Sequence, residues 1–90
     1  MATPIIIELF STSTCQRCGD AKKRIQSLVK QLGDDRVEYR ELDVLEELDY
    51  AVSLGVLTTP AIAIDGELIF TAMPSLKRLT DELQQRLITP

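Results

Sequence analysis

Residues 61–70 read AIAIDGELIF, two apolar runs held apart by Asp65-Gly66. Asp-Gly between two apolar runs is the strongest short-range hairpin signal, so this stretch predicts two antiparallel strands joined by a two-residue turn. A sheet that closes this way cannot be all-parallel. Residues 5–10, IIIELF, form a nearly unbroken β-branched run that suits a strand covered on both faces. Residues 37–42, VEYREL, alternate for most of their length and carry three charges, which predicts a strand near a sheet edge.

Between these strands the period changes. Ala21, Ile25, Leu28, Val29 and Leu32 fall at helical spacing with lysine, arginine and glutamine between them. Gly33 is a good C-terminal stop, and Asp34 and Asp35 continue the turn. This helix is expected to begin at or just before the cysteines, with the hydroxyls of residues 11–14 able to cap it. Leu45, Leu48 and Val52 mark a short second helix that Gly55 ends. Pro74-Ser75 opens the last helix, with Ser75 as N-cap and Leu76, Leu79, Leu83 and Leu87 as its buried stripe.

The order is β-α-β-α-β-β-α. A helix joining the first two strands makes them parallel, through a right-handed crossover. The fold class is therefore α/β: a four-stranded mixed sheet flanked by helices. Ninety residues suffice for one core, so residues 1–90 are read as a single domain, with no linker or repeat.

Charge and composition narrow the function. Ten basic residues against fourteen acidic ones give a net charge of −4, and no basic stripe offsets it, which argues against nucleic acid as a partner. The N-terminus lacks a positive region and its apolar run breaks at Glu8, so neither a signal peptide nor a membrane span is expected. The expected location is the reducing cytoplasm. Two cysteines are too few for a disulfide-stapled scaffold, and no histidine is present as base or metal ligand.

Those cysteines, Cys15 and Cys18, sit where the first strand hands over to the first helix, the end of an α/β sheet where sites gather. In a first helical turn, Cys15 can face outward with Cys18 behind it. Unpaired amides and the positive end of the helix dipole favour thiolate there, lowering the first thiol below its free value of about 8.5. Arg17 adds a positive charge, while Asp20 opposes it from beyond the first turn. Such a thiolate attacks a substrate disulfide, and the second cysteine then displaces the product. Two alternatives stay open. A dimer could assemble four sulfurs around zinc or an iron–sulfur cluster, making the chain a carrier, although one protomer has too few ligands. A redox-inert pair on the same fold is the other, and polar residues 11–14 make a poor place to bury a thiol. Lys22, Lys23 and Arg24 read as a solvated face, Gly19 as a spacer, and Tyr39 and Tyr50 as packing residues. Pro60, just before a buried run, fits only at a strand's start or edge. Residue chemistry alone makes the bond before it trans.

CQRC on the first strand–helix turn, together with TTPAIAIDGEL, resembles the thioredoxin superfamily. Within it the chain is most similar to small thioredoxins of glutaredoxin size, of archaeal and bacterial type. The likeness runs from IIIELFSTSTCQRC through GVLTTPAIAIDGELIFTAMPS to the final helix. The resemblance implies Cys15 as nucleophile and Cys18 as resolving cysteine. It implies a cis bond before Pro60, packed across from the cysteines, and a Thr59 backbone that pairs with extended substrate. The loop Ala72-Met73-Pro74 would close the other side of that groove. The expected reading is a dithiol–disulfide oxidoreductase acting on protein disulfides, monomeric, without a bound cofactor and served by a thioredoxin-reductase-type donor.

Several positions depart from the family pattern. Leu9 stands where thioredoxins carry a buried aspartate, and Glu8 should point to the opposite sheet face. Cys18 is then expected to lose its proton to solvent or to the leaving thiolate. Thr14 replaces an aromatic residue and Ala72 a glycine. No lysine precedes Cys15 and no Gly-Gly-Asp follows Phe70, so a reductase protein rather than glutathione is the expected electron source.

Overall fold

The computed structural model describes residues 4–33 and 36–88 of the chain. Seven elements follow in order: β1 (Ile5–Ser11), α1 (Cys18–Leu32), β2 (Val37–Asp43), α2 (Leu48–Leu54), β3 (Ala61–Ile64), β4 (Glu67–Phe70) and α3 (Leu76–Ile88). The sheet order is β2-β1-β3-β4. β1 and β2 run parallel, from Ile5 opposite Val37 to Ser11 opposite Asp43. β3 lies antiparallel to β1, and β4 antiparallel to β3. The turn between the last two strands has Asp65 at φ 53° and Gly66 at φ 78°, the geometry that the Asp-Gly pair predicts.

Alternation along β1 sorts the core onto two faces. Ile5, Ile7 and Leu9 pack with Ile62 and Ile64 of β3, Ala21, Ile25 and Leu28 of α1, and Leu79 and Leu83 of α3. Phe10 points the other way, to Ala61, Ala63, Val56 and Ala51 of α2. Two helices therefore cover one face and a seven-residue helix covers the other. Each fully buried leucine or isoleucine contributes about 1.5–3 kcal/mol. β1 and β3 are central and almost wholly buried, whereas β2 is a half-exposed edge, as its charges predict.

Three details differ from the sequence expectation. α1 begins at Cys18, so Cys15 lies in the preceding turn, where its N–H donates to the Thr12 carbonyl at 3.1 Å. Residues 11–14 do not cap the helix. Arg17 occupies the N-cap without a side-chain bond, and the Thr12 and Thr14 hydroxyls face each other at 3.4 Å. The turn holds these hydroxyls to itself. On α2, Leu48 and Val52 are exposed, as is Leu45 just before it. The helix packs instead through Tyr50, Ala51 and Leu54, because a small alanine allows the short helix to lie close to the sheet.

On α3, Ser75 caps as expected, its Oγ accepting the Arg78 N–H at 3.2 Å. Leu79 and Leu83 are buried, while Leu76, on the first turn, is exposed. Asp34, Asp35 and the side chain of Leu87 lie outside the described residues.

Candidate active site

β1 delivers the chain to the site at Ser11, whose carbonyl accepts the N–H of Val44 beyond β2. The tight turn over Thr12 then places Cys15 at the surface, and the start of α1 places Cys18 beneath it. Cys15 is half-buried and Cys18 buried. A disulfide joins them, with 5.5 Å between their Cα atoms, well inside the range a bridge spans without backbone movement. The structure is thus the oxidised form of the pair.

The loop before β3 brings the second constellation alongside. The Thr59–Pro60 peptide bond is cis, and Pro60 is buried. Thr59 shares a hollow of about 440 Å³ with Cys15, Thr12, Thr14, Gln16 and Arg17. A second hollow of about 650 Å³ continues from it, since Gln16, Arg17 and Thr59 line both. Pro60, Thr71, Ala72 and Met73 belong to this second hollow. The Thr58 hydroxyl donates to the Thr71 carbonyl at 3.1 Å, tying the loop before β3 to the loop after β4. Of the residues singled out in the sequence, Cys15 and Thr59 therefore line one hollow, while Pro60 and Ala72 line its extension. Cys18 lies behind Cys15.

The charges nearest the cysteines are arranged asymmetrically. Arg17 is exposed and makes no ion pair among the described residues. Asp20 pairs with Arg24 at 3.1 Å, one turn along α1. The acid that would offset Arg17 is thereby engaged elsewhere.

Behind the site, Leu9 is fully buried on the α1 face. Glu8 is buried on the opposite, α2 face, where it accepts the Tyr50 hydroxyl at 2.6 Å. No β1 carboxylate therefore reaches the face on which Cys18 sits. The hydrogen bond to Glu8, helped by burial and by the carboxylate's charge, pushes Tyr50 up to about 12, with Arg40 opposing. Tyr39 is also pushed up to about 12, first by burial and then by Glu41. Both tyrosines pack against the core, as their sequence context suggests. The Glu8–Tyr50 bond is the polar contact that sequence reading missed. Its signal was present: the strand period puts Glu8 on Phe10's side, where α2 must lie.

Among the described residues, no three His, Cys, Asp or Glu side chains are grouped to hold a metal ion, and no helix is long and apolar enough to cross a membrane.

Comparison with known proteins agrees with this geometry. The model of the thioredoxin domain family matches residues 5–84. A thioredoxin of Methanocaldococcus jannaschii is 30% identical over 81 residues, covering 90% of this chain and 94% of that protein. A probable thioredoxin of Methanothermobacter thermautotrophicus is 28% identical over the same proportions. Among solved structures, a mutant thioredoxin from Halobacterium salinarum superposes with a TM-score of 0.80 at 19% identity, covering 98% of this chain and 80% of that one. Thioredoxin 1 of Thermosipho africanus gives 0.73 at 23% identity, with 91% and 93% covered. These two establish likeness of fold. A family match across nearly the whole chain, joined to a cysteine pair bridged at the end of β1, leads to one conclusion: the chain belongs to the thioredoxin family and is a thiol–disulfide oxidoreductase.

Proposed function

We propose that residues 1–90 act as one domain that reduces protein disulfides through the CQRC segment, with Cys15 as nucleophile and Cys18 as resolving cysteine. The carrying observation is that Cys15, bridged to Cys18, shares a surface hollow with Thr59. In the reduced form, the Cys15 thiolate attacks one sulfur of a substrate disulfide. A mixed disulfide forms and the other substrate sulfur leaves as a thiolate, taking up a proton from water. Cys18, once deprotonated, then attacks the Cys15 sulfur, closing the Cys15–Cys18 bond and releasing the second substrate thiol. The substrate gains two electrons and the protein loses two.

The Thr59 backbone pairs with the substrate segment beside Pro60, as an added strand would, and Ala72 borders the same groove. An external dithiol, supplied by a thioredoxin-reductase-type protein, returns the pair to its reduced form. A disulfide that must open in each cycle belongs in a reducing compartment, and we place a monomeric protein in the cytoplasm. The relatives compared are named thioredoxins, which favours this reading over a metal or cluster carrier bridging two protomers. Reduction of insulin by dithiothreitol tests it. The protein accelerates the reaction and Cys15→Ser abolishes the acceleration; an unchanged rate in Cys15→Ser overturns the assignment.

A further inference from the structure

The α2 side of the molecule presents aliphatic surface that the fold does not use. Leu45, Leu48 and Val52 are 72%, 50% and 65% exposed, and Leu57, after the helix, is 94% exposed. Single exposed leucines are ordinary. Leu48 and Val52, however, are one turn apart on α2 and so share one side of it, and Leu45 lies in the turn just before the helix. α2 already satisfies its packing through Tyr50, Ala51 and Leu54, so this second face is left over.

The edge of that face beside Leu48 is acidic, while Arg40 shares a separate hollow with Tyr50. Residues 41–76 contain seven acidic residues and no lysine or arginine. Glu46, Glu47 and Asp49 border Leu48 and Tyr50 around a hollow of about 210 Å³, and none of the three is in an ion pair among the described residues. Asp43 is occupied differently, accepting the Leu45 N–H at 2.8 Å and so fixing the entry to the helix. Placement matters as much as charge. Asp43 pairs with Ser11 at the end of the sheet that carries the cysteines, and Leu57 stands three residues before Pro60. The face therefore flanks the redox end.

We infer that this face docks protein substrates whose disulfide lies beside a patch of aliphatic residues rimmed with lysine or arginine. The inference rests on the oxidoreductase reading and adds a second contact to the groove beside Pro60. Aliphatic groups from the partner cover Leu45, Leu48 and Val52, and its basic side chains meet Glu46, Glu47 and Asp49. The protein's net charge of −4 favours encounter with the same class of partner. A second copy of this chain is a poor occupant. A two-fold contact would set Glu46, Glu47 and Asp49 of one copy against those of the other, and no lysine or arginine lines the hollow they border.

Two synthetic peptides with the same disulfide-closed loop test this, one bearing a Leu-Lys-Leu-Lys arm and the other Leu-Glu-Leu-Glu. Hydroxyethyl disulfide serves as a neutral substrate too small to reach α2. At low ionic strength the wild type should favour the basic arm by about tenfold in kcat/KM, with the difference carried by KM. The exposed-site variant Leu48→Ser/Val52→Ser, which leaves the charge unchanged, should lose about fivefold or more on the basic peptide and nothing on hydroxyethyl disulfide. Equal rates for the two arms overturn the inference, as does a variant that keeps the full preference. A wild-type dimer in sedimentation that the same variant dissociates would overturn it in favour of self-association. Failure on all three substrates would remove the oxidoreductase reading itself, a result distinct from the others.

Discussion

Tyr50 on α2 donates its hydroxyl to Glu8 on β1 across 2.6 Å, while Leu9, the next residue, is buried on the opposite face of the sheet against α1 and α3. The one buried carboxylate among the described residues is therefore held on the side of the sheet away from Cys18. Cys18 has no β1 carboxylate to take its proton. Resolution of the mixed disulfide should accelerate as pH rises from neutral toward the ordinary thiol range, about tenfold per unit while the thiolate is scarce. Single-turnover release of the second substrate thiol measures this, and a flat profile would contradict it.

The same hydrogen bond has a spectroscopic consequence. Both tyrosines of the chain are pushed up to about 12, so little tyrosinate absorbance should develop near pH 10. The causes differ, and a variant separates them. In Glu8→Gln, Tyr50 should titrate nearer its ordinary value, because charge and acceptor strength are both reduced. Tyr39, held up chiefly by burial, should not move. For stability the sign is that of an acid whose folded pKa is raised. The contribution is complete below about pH 10 and is lost as pH climbs through about 12. A wild-type titration centred near 10 would contradict the assigned environment.

Arg17 lies next to the cysteine turn with no acid paired to it, because Asp20 is engaged by Arg24. Its charge favours the Cys15 thiolate. In a Cys18→Ser background, Arg17→Gln should slow alkylation of Cys15 at neutral pH by about two- to threefold, and added salt should shrink the difference because the group is exposed. Equal rates at low salt would show that Arg17 has no electrostatic part in activation.

Gly55 ends α2 at φ 88°, donating its N–H to the carbonyls of Ala51 and Val52. A Cβ there would meet no atom within 4 Å, so the strain of substitution is conformational rather than steric crowding. Gly55→Ala should lower unfolding free energy by about 1–2 kcal/mol in denaturant titration. An unchanged midpoint would mean that this cap is not strained by a side chain.

The sheet was largely readable from the chain because its signals are local. Asp65-Gly66 dictates a tight turn, the β-branched run of β1 marks a central strand, and the charges of β2 mark an edge. Ser75 declares the start of α3 by its own hydrogen bond. What escaped depends on contacts between distant segments. The leucine spacing around α2 reveals a helix, but not that Ala51, with little hydrophobic weight of its own, faces the sheet in place of Leu48 and Val52. In the same way, the hydroxyls of Thr12 and Thr14 are good caps by type, yet a tight turn commits them to each other. At the site, the Cys-x-x-Cys spacing and the Thr-Pro pair were legible. Glu8 was legible only as pointing away from the face of Leu9, not as the acceptor for a tyrosine forty-two residues away.

One measurement bears most directly on Cys15 as the attacking sulfur. Reduced Cys18→Ser is mixed with a disulfide substrate, quenched with acid and mapped by proteolysis and mass spectrometry. The account predicts a stable adduct in which the substrate sulfur is bonded to Cys15, and no comparable adduct on Cys18 when reduced Cys15→Ser is treated alike. Rapid adduct formation at Cys18, with Cys15 unmodified, would contradict it.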